Sequence, residues 1–236
     1  MDKSTFKGCF VALVTPFRDG AVDHRALDAL IDQVLVGGVH GLVPCGTTGE
    51  SPTLSPEERA EVVAAVARRA KGRVPVIAGA GTNSTEKTVC ESVAALRAGA
   101  DGVMLVAPYY NKPNQAGLYR HFSHVAGKVS APIMLYNIPG RTGVEIHAET
   151  IARLHAEHPN IFAVKHATGS IDGAGELAAL CDIAVFSGDD TLTLPLMSIG
   201  AVGVVSVLAN LLPREMSTLT NAALSDDLPT ARSWHR

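Results

Sequence analysis

Apolar residues along this chain fall into eight near-continuous runs, separated by segments in which they recur every third or fourth position. The runs begin near residues 8, 41, 75, 102, 133, 161, 183 and 202 and read GCFVALVTPF, GLVPCGT, PVIAGAG, GVMLVAP, IMLYNIP, IFAVKHAT, IAVFSGDD and VGVVSVLAN. Continuous runs, rather than alternating ones, are the mark of parallel strands covered on both faces. The intervening segments carry helix start signals. Ser55-Pro56-Glu57-Glu58 is a capping box with proline in the first turn. Asp23 opens a segment whose Leu27, Leu30, Ile31 and Val34 share one face, and Asn83 opens another bearing Val89, Val93 and Leu96. A short pattern recurs at Gly38-Val39-His40-Gly41, Gly99-Ala100-Asp101-Gly102 and Gly200-Ala201-Val202-Gly203. Its first glycine suits a helix C-terminus in the left-handed conformation, and its second a close turn into a strand. Eight repeats of strand then helix predict a (β/α)8 barrel, and nothing resembling a linker divides residues 1–236. An open doubly wound sheet is the alternative. It lacks support because no Gly-x-Gly-x-x-Gly follows the first strand, and GAGTN after the third is too short to count.

Composition narrows the class. Hydrophobic residues make up 47% and charged residues 18%, as in an ordered globular protein. A formal net charge of −3 with no basic run argues against nucleic acid as the partner. No apolar run approaches the ~20 residues needed to span a bilayer, and the N-terminus MDKSTFKG has no apolar leader core, so a cytoplasmic location and no membrane partner are expected. Cys9, Cys45, Cys90 and Cys181 are widely spaced and read as reduced structural thiols. The pairs His121/His124 and His155/His158 read as solvated helix faces; no metal site is expected.

Barrel enzymes carry their chemistry at the C-terminal ends of the strands. Those ends hold Thr15-Pro16, Gly46-Thr47-Thr48-Gly49-Glu50, Pro108-Tyr109-Tyr110-Asn111, Tyr136-Asn137 followed by Pro139-Gly140-Arg141-Thr142-Gly143, Lys165, and Ser187-Gly188-Asp189-Asp190. Most have an ordinary reading alone: a tyrosine packed with its hydroxyl in water, a tight turn, a solvated loop arginine. SGDD is expected to cap the helix that follows it rather than hold a metal.

Lys165 is different. In a strand it shares a face with Ile161, Ala163 and Ala167, and the two alanines leave room around it. Barrel interiors are filled with branched apolar side chains, so an interior lysine points to chemistry. Burial favours the neutral amine, the form that condenses with a ketone or aldehyde to an imine. Tyrosines can then move protons, and threonine hydroxyls with glycine-flanked amides can hold a carboxylate.

Four motifs occur in one order and spacing: Gly46-Thr47-Thr48-Gly49-Glu50, Pro108-Tyr109-Tyr110-Asn111-Lys112-Pro113, Tyr136-Asn137-Ile138-Pro139-Gly140-Arg141-Thr142-Gly143, and Lys165-His166-Ala167-Thr168-Gly169. Together they resemble the dihydrodipicolinate synthase family of pyruvate-dependent class I aldolases, over residues from about Gly8 to the end. The resemblance implies that Lys165 forms an imine with pyruvate and that Tyr136 relays protons through Thr47 to Tyr110. Tyr110 would reach a neighbouring subunit's site, which implies a homodimer or homotetramer. Thr48 would hold the pyruvate carboxylate, Arg141 the carboxylate of L-aspartate 4-semialdehyde, and Gly188 and Val205 would line the pyruvate site. The implied product is 4-hydroxy-tetrahydrodipicolinate, in lysine and diaminopimelate synthesis, with no cofactor beyond the covalent imine. A sister activity such as N-acetylneuraminate lyase is the alternative, and a non-enzymatic binding barrel is a third reading.

Two departures from the family pattern stand out. The usual C-terminal helical extension is shortened, to a segment from about residue 213. The lysine effector site of inhibited members maps to Ser51, Pro52, Pro56, Arg59, Asn83, Lys87 and Tyr109. Pro56 and Arg59 stand where histidines are found and Lys87 where a glutamate is found, so weak or no inhibition by lysine is expected.

Overall fold

The computed structural model describes residues 6–236, so the N-terminal stretch read for a leader begins outside the described residues. The eight apolar runs form eight parallel strands: β1 (Gly8–Ala12), β2 (Gly41–Val43), β3 (Ile77–Gly79), β4 (Gly102–Val106), β5 (Ile133–Asn137), β6 (Ile161–His166), β7 (Ala184–Ser187) and β8 (Gly203–Ser206). They pair in the order β2-β1-β8-β7-β6-β5-β4-β3, and a parallel bridge between Leu42 and Val76 closes the ring. A two-residue hairpin, Phe17–Arg18 with Ala21–Val22, is an addition that the apolar pattern was too short to reveal.

Helices return the chain between strands: α1 (His24–Val36), α2 (Pro56–Ala70), α3 (Thr85–Arg97), α4 (Gln115–Lys128), the four-residue α5 (Pro139–Thr142), α6 (Ala148–Glu157), α7 (Ile171–Leu180) and α8 (Thr193–Met197). Two more follow, α9 (Pro213–Leu224) and α10 (Leu228–His235); α9 packs on β1 and α1. Asp23 caps α1 and the Ser55/Glu58 box caps α2, as their spacing predicts. The first glycines of the recurring joint take left-handed φ values of 81°, 106° and 106° at Gly38, Gly99 and Gly200.

Asn83 is not the cap of α3. Ser84 is, its hydroxyl accepting from the Lys87 amide, while the Asn83 carbonyl accepts a bond from Asn111 Nδ2. The face of α3 turned fully inward is Thr88-Ser92-Ala95, one position from the expected Val89-Val93-Leu96 face. Local bonds such as Ser92 Oγ to the Thr88 carbonyl satisfy those hydroxyls, so small polar residues fit where the helix lies close to the sheet.

Two apolar layers result. One lies between strands and helices; the other fills the barrel with Phe10, Ile77, Met104, Met134, Phe186 and Val205. The alternation expected along β6 breaks near its start. Pairing with β5 slips between Ile133 and Met134, which partner Ile161 and Ala163. The extra residue turns Phe162 into the barrel against Phe6, at 4.7 Å between ring centroids, and leaves Ile161 in the outer layer. Lys165 therefore shares its face with Ala163 and Ala167 but not with Ile161.

Of the histidine pairs only His124 lies on a solvated face, 3.1 Å from the exposed Glu86. His121 is buried, bonded through Nδ1 to Thr85 Oγ1 at 2.9 Å, and burial pushes it down to about 4. His155 bonds the Ile161 carbonyl and Asp182, and His158 bonds Ser123. Each binds a neighbouring element, which helical periodicity alone does not show. Cys9 and Cys45 are buried, and burial raises both thiols. Among the described residues no helix is long and apolar enough to cross a membrane, and no cluster of His, Cys, Asp or Glu is placed to hold a metal ion.

Candidate active site

Strand register decides the centre of the site. In the β5–β6 pair Tyr136 lies directly beside Lys165, and Phe186 flanks Lys165 on the other side. Both side chains point into the barrel, and the Lys165 Nζ sits 4.3 Å from the centroid of the Tyr136 ring. Lys165 is 3% exposed and Tyr136 5%. Desolvation pushes Lys165 down to about 8, while Asp189 and Asp190 oppose the shift and Arg141 adds to it. At pH 7 such an amine is neutral about one time in ten, against about one in two thousand for a free lysine. Burial pushes the Tyr136 phenol the other way, to about 12, so it stays protonated and available as a donor.

The Thr47-Thr48 turn follows β2. Its shape is held by Gly49 and Glu50 amides donating to the Gly46 and Thr47 carbonyls, and by the Thr15 hydroxyl donating to Gly49 O at 2.7 Å. Among the described residues the Thr47 and Thr48 amides have no hydrogen-bond acceptor. Two adjacent donors of this kind suit an anion. Thr47 also lines a cavity of about 610 Å3 with Arg141, Tyr109, Ile138, Lys87, Arg59 and Glu91. Every residue of the implied effector group except Asn83 borders that same cavity. Inside it, Arg59 is paired with Glu91 at 3.4 Å and donates to the Gly79 carbonyl, leaving Lys87 and Arg141 as the lining cations with no ion-pair partner among the described residues.

The remaining expected residues are placed less centrally. Gly188 packs against Ala167, where an added Cβ would lie 2.5 Å from the Ala167 Cβ, and its amide donates to the His166 carbonyl. Val205 is fully buried in the barrel layer. Tyr110 is not brought to the others at all: it is 89% exposed, on a loop where both Tyr110 (φ 73°) and Lys112 (φ 44°) are left-handed. Asp190 does not cap the helix that follows it. Its carboxylate accepts from Ser206 Oγ and from the Val207 and Leu208 amides, so it caps the turn after β8, a strand away in space. With Asp189 it supplies the negative charge nearest Lys165, a role that spacing alone did not reveal.

A barrel with a desolvated strand lysine beside a protonated tyrosine, and an anion-ready turn at the same mouth, defines an imine-forming enzyme of the class I aldolase type. Residues 5–236 match the dihydrodipicolinate synthetase family, and the chain belongs to it. It is 55% identical to the 4-hydroxy-tetrahydrodipicolinate synthase of Sorangium cellulosum, with 100% of this chain and 79% of that protein covered. It is 53% identical to the enzyme of the same name from Pelobacter propionicus, over 98% of this chain and 80% of that one. The solved dihydrodipicolinate synthase from Aquifex aeolicus superposes with a TM-score of 0.95 at 48% identity, covering 98% of this chain and 79% of the other.

Proposed function

We propose that this chain condenses pyruvate with L-aspartate 4-semialdehyde to 4-hydroxy-tetrahydrodipicolinate, the reaction for which its relatives are named. The observation that carries the reading is the in-register, buried Lys165–Tyr136 pair at the barrel mouth. The neutral Lys165 amine adds to the pyruvate ketone, water leaves with a proton supplied through Tyr136, and the resulting iminium draws electrons from the methyl carbon. Loss of a methyl proton gives the enamine, whose carbon attacks the aldehyde. The imine is itself the electron sink, so the chemistry calls for no metal or organic cofactor.

In this reading Thr48 holds the pyruvate carboxylate on its unbonded amide and hydroxyl, with Gly188 and Val205 forming the wall behind it. Arg141 grips the carboxylate of the semialdehyde through a two-point fork that a neutral side chain cannot reproduce. Thr47 links Tyr136 to Tyr110. Because Tyr110 points into solvent, that link is completed by a second copy of the chain, as a homodimer or a pair of dimers. We read residues 1–236 as one barrel domain with a helical segment from about 213, working in the cytoplasm. Borohydride trapping with pyruvate tests the first half: a stable mass increase on the Lys165 peptide is expected, and an adduct on Lys112 instead would sink the assignment. Turnover with the semialdehyde tests the second half. If the protein ignores it and cleaves N-acetylneuraminate, the lyase reading wins.

A further inference from the structure

Arg141 is exposed and has no ion-pair partner among the described residues, so the direction of its fork is set by the loop that carries it. That loop, 138–145, holds only the four-residue α5 and ends its helical turn at Gly143 in the left-handed conformation (φ 74°). Such a segment would be loose without outside support. Two carboxamides supply it. Asn137, 1% exposed and next to Tyr136 on β5, donates Nδ2 to the Ile146 carbonyl at 2.9 Å and accepts the Ile146 amide on Oδ1 at 3.0 Å. This reciprocal pair closes the loop at its base as a ladder pair would. Gln115, the first residue of α4, holds it from outside. Its Nε2 donates to the Glu145 carbonyl at 2.8 Å, and its Oε1 accepts from the His147 amide at 3.1 Å and the Thr150 hydroxyl at 2.7 Å. Since α4 follows directly on the Tyr110 loop, Gln115 also ties the two mouth loops together. The Lys112 side chain lies over Gly143, where any Cβ would meet its Cε at 2.6 Å.

We propose that Asn137 and Gln115 are positioning residues for the aldehyde half of the reaction: they aim Arg141 at the second substrate's carboxylate and touch no reacting atom. The inference rests on the role of Arg141 argued above. Gln115→Ala changes a half-buried residue at the start of a helix, and Asn137→Asp keeps the shape and one acceptor while deleting the donor to Ile146. Both should raise KM for the semialdehyde and lower kcat/KM by roughly 10- to 100-fold, the scale of an ångström-sized misplacement. The rate of pyruvate adduct formation on Lys165 should stay within about twofold, a split that general loss of structure would not produce. In a double-mutant cycle Gln115→Ala should cost nothing further once Arg141→Ala is present. Additive losses, slowed adduct formation, or unchanged semialdehyde kinetics in both variants would overturn the brace. If Arg141→Ala alone leaves KM for the semialdehyde unchanged, the assignment of Arg141 itself fails, a result separable from failure of the brace.

Discussion

The Lys165–Tyr136 centre and the Tyr110 loop sit at the same barrel mouth but are built in opposite ways. At the centre, two neighbouring strands fix both side chains in register, burial exceeds nine-tenths, and the surroundings shift both proton equilibria away from charge. On the loop, Tyr110 is almost wholly exposed and the backbone carries two non-glycine residues at positive φ, a conformation that persists only when neighbours impose it. One of those neighbours is Asn111, whose Nδ2 donates to the Asn83 carbonyl at 3.0 Å. The lesson is a division of labour. Activation of the nucleophile needs only one chain, whereas delivery of protons to bulk solvent is, on our reading, left for a second copy to complete.

The largest effect expected is at the centre. Lys165→Arg should abolish adduct formation in the trapping assay, because a guanidinium stays protonated and cannot add to a ketone. Measurable turnover by this variant would remove Lys165 from the mechanism. Next comes the loop. Tyr110→Phe should lower kcat by about 10²-fold, the usual worth of a proton-transfer group. Mixing it with Lys165→Arg chains under subunit exchange should restore activity, since a mixed dimer pairs an intact lysine with a partner's intact tyrosine. No recovery would place Tyr110 in its own chain's site.

Two further tests address desolvation. The rate of adduct formation should rise about tenfold per pH unit below about 8 and level off above it, as the neutral amine fills. A rise continuing to pH 10 would mean that Lys165 titrates as in water. The same shift has a stability consequence. Between about 8 and 10.5 the unfolded lysine binds a proton that the folded one does not, so stability rises with pH through that window and the full cost is present below it. At pH 7 the cost is about 3 kcal/mol, so Lys165→Met should raise Tm by several degrees in a calorimetric scan while destroying activity. An unchanged or lower Tm would show that the lysine is compensated. The smallest effect concerns the outer cavity: with Lys87 and Arg141 both lining it and neither ion-paired among the described residues, sub-millimolar lysine should leave the initial rate unchanged, and clear inhibition would refute that reading of its charge.

Much of this protein was legible as sequence. The eight strands begin within two residues of where the apolar runs do, because strands covered on both faces tolerate little but apolar side chains. The recurring glycine joint predicted left-handed backbone at Gly38, Gly99 and Gly200, a conformation open to few other residues. Lys165 was conspicuous because a charge within such a run demands a reason. What tertiary structure alone decided were relations between segments distant along the chain. The slip between β5 and β6 that sends Phe162 inward depends on pairing with another strand. So does the placement of Asp190 on the turn after β8, and the burial of His121 against Thr85. The grip of Asn137 and Gln115 on the Arg141 loop is of the same kind. Local periodicity records which face of an element meets the core; it carries no information on which distant backbone group a buried polar side chain will find there, and that choice belongs to the folded barrel.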